Sequence, residues 1–194
     1  MDKISYALGI SMAGSLKRTG IKDLNIGELT RGISDVFSGK KPDMEPAEAQ
    51  QILDQYFAKL QDEVDGQNKV IGDKFLAKNK EQKDVVTTAS GLQYTIIQAG
   101  NGPKPKATDT VRCHYEGRLI DGTVFDSSYR RNQPADFPVN QVIAGWVEAL
   151  QLMPVGSKWR LFIPSELAYG EHGAGDVIRP HSTLIFDVEL LQII

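Results

Sequence analysis

The period of the apolar residues changes near residue 85, and that change constrains the fold more than any other feature of the chain. Before it, apolar side chains recur at three- and four-residue spacing, the mark of helices with one buried stripe. After it, short runs alternate apolar and polar and are separated by Gly and Pro turns, the mark of half-buried antiparallel strands. A chain of 194 residues built this way holds an all-helical part followed by an α+β part.

Three helices are expected in the first part. Ile4, Leu8, Met12 and Leu16 form a stripe on the first, with Gly20 placed to end it. The second runs from Asn25 to Ser38, with Asn25 as cap, Glu28 three residues on as in a capping box, and Gly39 at the C-terminal cap. Leu29, Ile33 and Phe37 are its apolar face. The third starts near residue 46, because Pro46 suits a first helical position. Ile52, Tyr56, Leu60 and Val64 carry its stripe, which thins to Val70, Ile71, Phe75 and Leu76. Continued to Lys83, this helix would be about 55 Å long at 1.5 Å per residue. Its later part reads as an exposed connector, with Gly66 and Gly72 as the points where it would bend, each costing about 1 kcal/mol against alanine.

These helices raise a burial problem. A unit of about 60 residues hides only about 60% of its unfolded surface and is marginal alone. The striped helices therefore suggest packing against a second copy of the chain, or else against its own C-terminal domain.

In the second part, Leu92, Tyr94 and Ile96 share a strand face, as do Val111, Cys113 and Tyr115. Trp159, Leu161 and Ile163 alternate with Lys158, Arg160 and Phe162. Leu184, Phe186, Val188 and Leu190 alternate with Thr183, Ile185, Asp187 and Glu189. One short helix from Ile143 to Leu150 interrupts them, with Ile143, Val147 and Leu150 as its buried side. The expected domain is a sheet covered on one face by one helix.

Most common chemistries lack their residues here. The formal net charge of −3 gives no electrostatic argument for nucleic acid or an anionic membrane. No apolar run approaches the roughly 20 residues of a membrane span. The segment from Met1 to Leu16 lacks the order of a secretory signal, so a cytoplasmic location is expected, or a periplasmic one if a signal has been removed. One cysteine, Cys113, excludes an internal disulfide and a cysteine-based zinc site. His114, His172 and His181 have no metal-binding spacing, and the loop from Gly170 to Gly175 is neither a P-loop nor a dinucleotide fingerprint. No metal and no cofactor are expected.

What remains is a set of aromatic residues beside turns. The stretches His114-Tyr-Glu-Gly117, Asp121-Gly-Thr-Val-Phe-Asp-Ser-Ser128, Val142-Ile-Ala-Gly-Trp146, Ala168-Tyr-Gly170 and Thr183-Leu-Ile-Phe-Asp-Val-Glu-Leu-Leu191 resemble, in order and spacing, the FKBP-type peptidyl-prolyl cis-trans isomerases. The resemblance covers residues 85 to 194. Residues 5–10 and 88–94 are similar to the bacterial Mip-like and FklB-like subgroup, whose chains dimerise through N-terminal helices.

That resemblance implies three regions: a helical dimerisation domain over 1–62, a connecting helix over 63–84 continuous with the third helix, and an isomerase domain over 85–194. It implies a pocket of Tyr115, Phe125, Asp126, Arg131, Phe137, Val142, Ile143, Trp146, Tyr169, Ile178 and Phe186. Trp146 would be the floor, with Tyr115, Phe125 and Phe186 as walls. The Ile143 N–H and the Tyr169 hydroxyl would hold substrate carbonyls. Asp126 would sit at the edge, tied to Tyr115 or Arg131. Implied partners are proline-containing peptides, unfolded or partly folded clients, macrolide inhibitors and a second copy of the chain through residues 1–62. This chain departs from the small single-domain members at Ala135 and Ala174, where those carry an aromatic residue and often a histidine. It is also about two residues shorter before Val142. A holdase or scaffold with vestigial catalysis, and a domain kept to bind a partner protein, are the competing readings.

Overall fold

A computed structural model of the chain describes residues 1–194 other than Lys22 and the side chain of Val64. It divides into two compact units, Met1–Val64 and Asp65–Ile194.

The first unit holds α1 (Lys3–Arg18), α2 (Ile26–Phe37) and the start of α3 (Pro46–Asn79). The sequence places two of these starts correctly, and for the stated reasons. The Asn25 side chain accepts the Glu28 N–H at 3.2 Å, and Pro46 opens α3. Glu28 does not close the other half of the capping box; it pairs with Arg31 at 2.8 Å. Gly20 and Gly39 follow α1 and α2 at φ +90° and +68°, a left-handed turn that glycine adopts without steric cost. No residue of α1 or α2 is buried, and Phe37 is 88% exposed. The side chain of Val64, the residue after which the apolar stripe thins in the sequence, lies outside what the structure describes.

The second unit is α+β. Its strands are β1 (Val86–Thr87), β2 (Gln93–Gln98), β3 (Thr110–Leu119), β4 (Val124–Ser127), β5 (Ala135–Pro138), β6 (Lys158–Ile163) and β7 (Leu184–Ile193). They form one antiparallel sheet in the order β1-β2-β6-β7-β3-β4, with β5 also paired to β3. Its core face carries Val111, Cys113, Trp159, Leu161, Ile163, Leu184, Val188 and Leu190, all at most 4% exposed. The helix α4 (Ala144–Leu152) lies on this face. Burial pushes the Cys113 thiol up to about 12, so it stays a neutral, inert side chain.

Four expectations change. Ile143 and Val147 are only half-buried, because α4 turns Gly145, Trp146, Ala149 and Leu150 inward instead. The i, i+3, i+4 spacing from Trp146 describes its buried face. Ile96 is 52% exposed, since the ladder slips between Ile96 and Gln98 and the strand runs out of the core. Helix α3 ends at Asn79 rather than near Lys83. Its last turns tighten into three-residue bonds, Glu81 N–H to Lys78 O and Gln82 N–H to Asn79 O, while the Leu76 carbonyl also accepts the Gln93 side chain at 3.0 Å.

The fourth change concerns the expected exposed connector. Gly72, Leu76 and Asn79 are buried. Leu76 packs with Phe162 and Ile185 in a second apolar cluster, against Phe75, Val85 and Ile120. Phe162 and Ile185 stand at positions that strand alternation assigns to solvent. The end of α3 covers them.

Elsewhere the outer face is polar and paired. Asp187 receives Arg160 at 2.6 and 2.9 Å and Arg118 at 3.3 Å. Burial raises its carboxyl, but the guanidinium hydrogen bonds and charges outweigh this and hold it below the usual carboxylate range. Its contribution to stability is therefore present above the unfolded value near 4 and lost as pH falls through the lower folded value. Asp187→Asn is expected to cost about 1–3 kcal/mol at pH 7, discounted from a fully buried pair because Arg160 is partly exposed. Urea unfolding at pH 7 and pH 2.5 measures this. The gap between variant and wild type should close at the lower pH.

Candidate active site

Six parts of the chain meet around the start of α4. β3 contributes Tyr115, β4 contributes Phe125 and Asp126, β5 contributes Phe137, and β7 contributes Phe186. The turn into α4 brings Val142 and Ile143, and the first turn of α4 brings Trp146. The loop between β6 and β7 brings Tyr169, Ala174, Gly175 and Ile178. Together with Gln141 these residues enclose a cavity of about 750 Å³.

Trp146 is the centre of the aromatic set. It lies 5.5 Å from Tyr115, 5.5 Å from Phe137 and 5.3 Å from Phe186, edge to face in each case. Phe125 meets Phe186 at 5.5 Å in the same geometry. This is the arrangement that ring quadrupoles favour, so each ring fixes its neighbours. Trp146, Phe186, Tyr115 and Ile178 are all at most 7% exposed. The indole N–H of Trp146 has no acceptor among the described residues. A buried donor left unpaired costs about 1–3 kcal/mol, and aromatic packing holds it there regardless.

The polar edge is a three-membered network. The Tyr115 hydroxyl donates to Asp126 Oδ2, Arg131 Nη1 donates to Asp126 Oδ1, and Arg131 Nη2 donates to the Tyr115 oxygen at 2.9 Å. Burial acts to raise the Asp126 carboxyl, but the bonds from Tyr115 and Arg131 prevail and hold it below the usual range. Burial and the hydrogen bond to Asp126 push the Tyr115 hydroxyl above its usual value.

Behind this edge, Ser128 holds Tyr115 in place. β4 stops at Ser127 and β5 begins at Ala135, leaving Tyr115 without a strand partner on that side. The buried Ser128 hydroxyl accepts the Tyr115 N–H at 2.7 Å and donates to the Tyr115 carbonyl at 3.1 Å.

Two residues that line the cavity carry further donors without a partner among the described residues. One is the N–H of Ile143, the residue preceding α4, and the other is the hydroxyl of Tyr169, which is 39% exposed.

All but one of the residues placed in the pocket by sequence resemblance line this cavity. The exception is Arg131, which lines a neighbouring depression of about 560 Å³ with Arg112, Gln133, Pro134, Ala135 and Asp136. Its guanidinium reaches back to the rim because the side chain is long enough to span the gap. Gln141 and Gly175 were not anticipated. Gln141 lies in a 3-10 turn beside Val142, and no aromatic or turn pattern marks it. Gly175 belongs to a glycine-rich loop in which no single position stands out.

His114 Nδ1 lies 2.9 Å from Ser128 Oγ, to which it donates while that hydroxyl bonds the Tyr115 carbonyl, and its ring stacks on Tyr129. No group of three metal-ligating side chains occurs among the described residues.

Comparison with known proteins adds to this geometry. Residues 102–191 match the family description "FKBP-type peptidyl-prolyl cis-trans isomerase", and residues 1–96 match "Domain amino terminal to FKBP-type peptidyl-prolyl isomerase". The chain is 46% identical to the FKBP-type 22 kDa peptidyl-prolyl cis-trans isomerase of Escherichia coli, over 98% of this chain and 94% of that protein. It is 44% identical to the outer membrane protein MIP of Legionella longbeachae, over 99% and 85%. The crystal structure of FkpA from Escherichia coli superposes with a TM-score of 0.77 at 39% identity, covering 98% of this chain and 95% of that one. With close identity along nearly its whole length and both family descriptions matched in order, the chain belongs to the FKBP-type peptidyl-prolyl cis-trans isomerases.

Proposed function

We propose that the aromatic cavity is where this isomerase turns X-Pro bonds. The observation that carries the reading is the Trp146 box, an aromatic-lined cavity with room for a proline ring and its flanking chain, whose ionisable edge groups are tied to one another. Rotation about a peptide bond faces a barrier of about 18–20 kcal/mol because it breaks amide resonance. No bond is cleaved, so no nucleophile or metal is needed. The planar amide is charge-separated and stabilised by water. The twisted amide is less so and loses less on entering an apolar site. The proline ring would lie on Trp146 between Tyr115, Phe125 and Phe186, with Phe137, Val142 and Ile178 excluding water. The Ile143 N–H and Tyr169 hydroxyl would hold the flanking carbonyls. Catalysis is then tighter binding of the twisted form, with desolvation contributing. Asp126, held as a carboxylate by two donors, orients Tyr115 and Arg131 rather than moving a proton.

Two-dimensional exchange spectroscopy on an X-Pro-Phe peptide tests this reading. The rate should be flat from about pH 5 to 9, because Asp126 titrates below its usual value near 4 and Tyr115 above its usual value near 10. A bell-shaped profile centred near neutrality would mean that a general acid or base takes part.

For residues 1–62 we propose dimerisation, with residues 63–84 linking them to the catalytic part. The absence of any buried residue in α1 and α2 supports it, since a unit of this size is marginal alone and its apolar stripes are left in water. Sedimentation equilibrium should give twice the chain mass of 21.4 kDa. A monomer at micromolar concentration would refute it. Among the described residues no helix is long and apolar enough to cross a membrane. The cytoplasmic expectation finds no support among the relatives, and the name of the Legionella protein favours the cell envelope, which fractionation decides.

A further inference from the structure

The later part of α3 lies against the segment 165–183, the connection that brings Tyr169, Ala174, Gly175 and Ile178 to the cavity. It touches that segment near both ends. Lys69 Nζ donates to Glu166 Oε1 at 2.5 Å, just before Tyr169. Asn68 Nδ2 donates to the Pro180 carbonyl at 3.2 Å, just after Ile178. One turn further, Gly72 passes so close to Thr183 that a β-carbon on it would stand 2.3 Å from Thr183 Oγ1. Glycine weakens a helix interior, so its place here answers to the neighbour rather than to the helix.

Between these anchors the loop holds its own shape. The Ala174 N–H donates to the Ile178 carbonyl at 2.7 Å and the Ile178 N–H returns to Ala174 at 3.2 Å. The His181 N–H donates to Gly170 at 2.8 Å, and His181 itself sits at φ 57°. A loop closed on itself moves as a body, so its two attachments to the helix set where Tyr169 and Ile178 stand. The Lys69–Glu166 pair is exposed on both sides and contributes little to global stability. The contacts are better suited to placing the loop than to holding the domain together.

We infer that Asn68, Lys69 and Gly72 are positioning residues of the isomerase pocket: through Pro180, Glu166 and Thr183 they fix the loop that carries Tyr169 and Ile178 and so set how tightly the chain around the proline is held. This rests on the assignment of the cavity as the isomerisation site.

The test uses the full chain and separates KM from kcat in peptide exchange, with amide hydrogen exchange as the structural readout. Asn68→Ala combined with Lys69→Ala should raise KM three- to tenfold, leave kcat within about twofold, and speed exchange at Ala174, Ile178 and His181. Lys69→Glu should raise KM alone, and adding Glu166→Lys should restore it to within about twofold. Gly72→Ala should lower kcat/KM at least fivefold, although alanine is the better helix former. If these variants keep wild-type KM and loop exchange while Tyr115→Ala is inactive, the inference fails and the pocket assignment stands. If Tyr115→Ala is fully active, the pocket assignment fails and this inference with it.

Discussion

Gly117→Ala is expected to reduce kcat/KM for an X-Pro-Phe peptide by about a hundredfold while the protein remains folded. Gly117 lies in β3, paired with Phe186 on one side and Asp126 on the other. A β-carbon there would come within 2.6 Å of both the Phe125 and the Phe186 rings. No carbon pair tolerates that distance, so both rings must shift. Phe186 cannot move alone, because it is wedged edge-on against Trp146 and Phe125. Overpacking of this kind costs about 1–3 kcal/mol, which a domain of ordinary stability survives. Catalysis is less tolerant, since a displacement near 1 Å at a reacting centre is worth about 100-fold. Exchange spectroscopy and a thermal melt on the same sample separate the two effects. Activity within threefold of wild type would mean that Phe125 and Phe186 do not shape the reacting site.

Gly117 also illustrates what the sequence made legible and what it did not. Its place in His114-Tyr-Glu-Gly117 helped identify the family, but nothing in the local pattern says which rings would occupy the space above it. That depends on β3, β4 and β7 meeting in register. The same division holds elsewhere. The start of α2 could be read because a cap is local chemistry: Asn25 reaches Glu28 within one turn. The inward faces of β3, β6 and β7 could be read because alternation is local too. Alternation says nothing about a second covering layer, and it places Phe162 and Ile185 on the face opposite the core, where the end of α3 buries them. The face of α4 was misread because Val147 and Ile143 look more core-like than Gly145 and Ala149. Yet small residues are what let a helix sit close on a sheet, and a β-carbon on Gly145 would stand 2.6 Å from Ile163. In the site, the aromatic side chains were legible through the family pattern. Gln141, Gly175 and the outward placement of Arg131 depend on how loops fold back.

A chain starting at residue 85, where the apolar period changes, is expected to be less stable than one starting at Asp65 by about 3–5 kcal/mol. The reason is the small second cluster. Phe75 and Phe162 lie 5.9 Å apart, and Leu76, Phe162 and Ile185 are at most 9% exposed. Removing the helix leaves Phe162 and Ile185 open to water, and each apolar side chain of this size is worth about 1.5–3 kcal/mol when fully buried. The buried Gln93 amide loses both its partners, Asn79 Nδ2 at 2.9 Å and the Leu76 carbonyl at 3.0 Å. Water replaces those bonds once the helix is gone, so the apolar loss dominates. Urea titrations of the two chains measure the difference, and the shorter chain should also aggregate more readily through its uncovered Phe162 and Ile185. Equal midpoints and equal slopes would mean that α3 contributes no cover to the sheet. A large difference would move the working boundary of the catalytic unit about 20 residues upstream of the change in sequence period, because a fold unit is bounded by what it buries rather than by where its pattern changes.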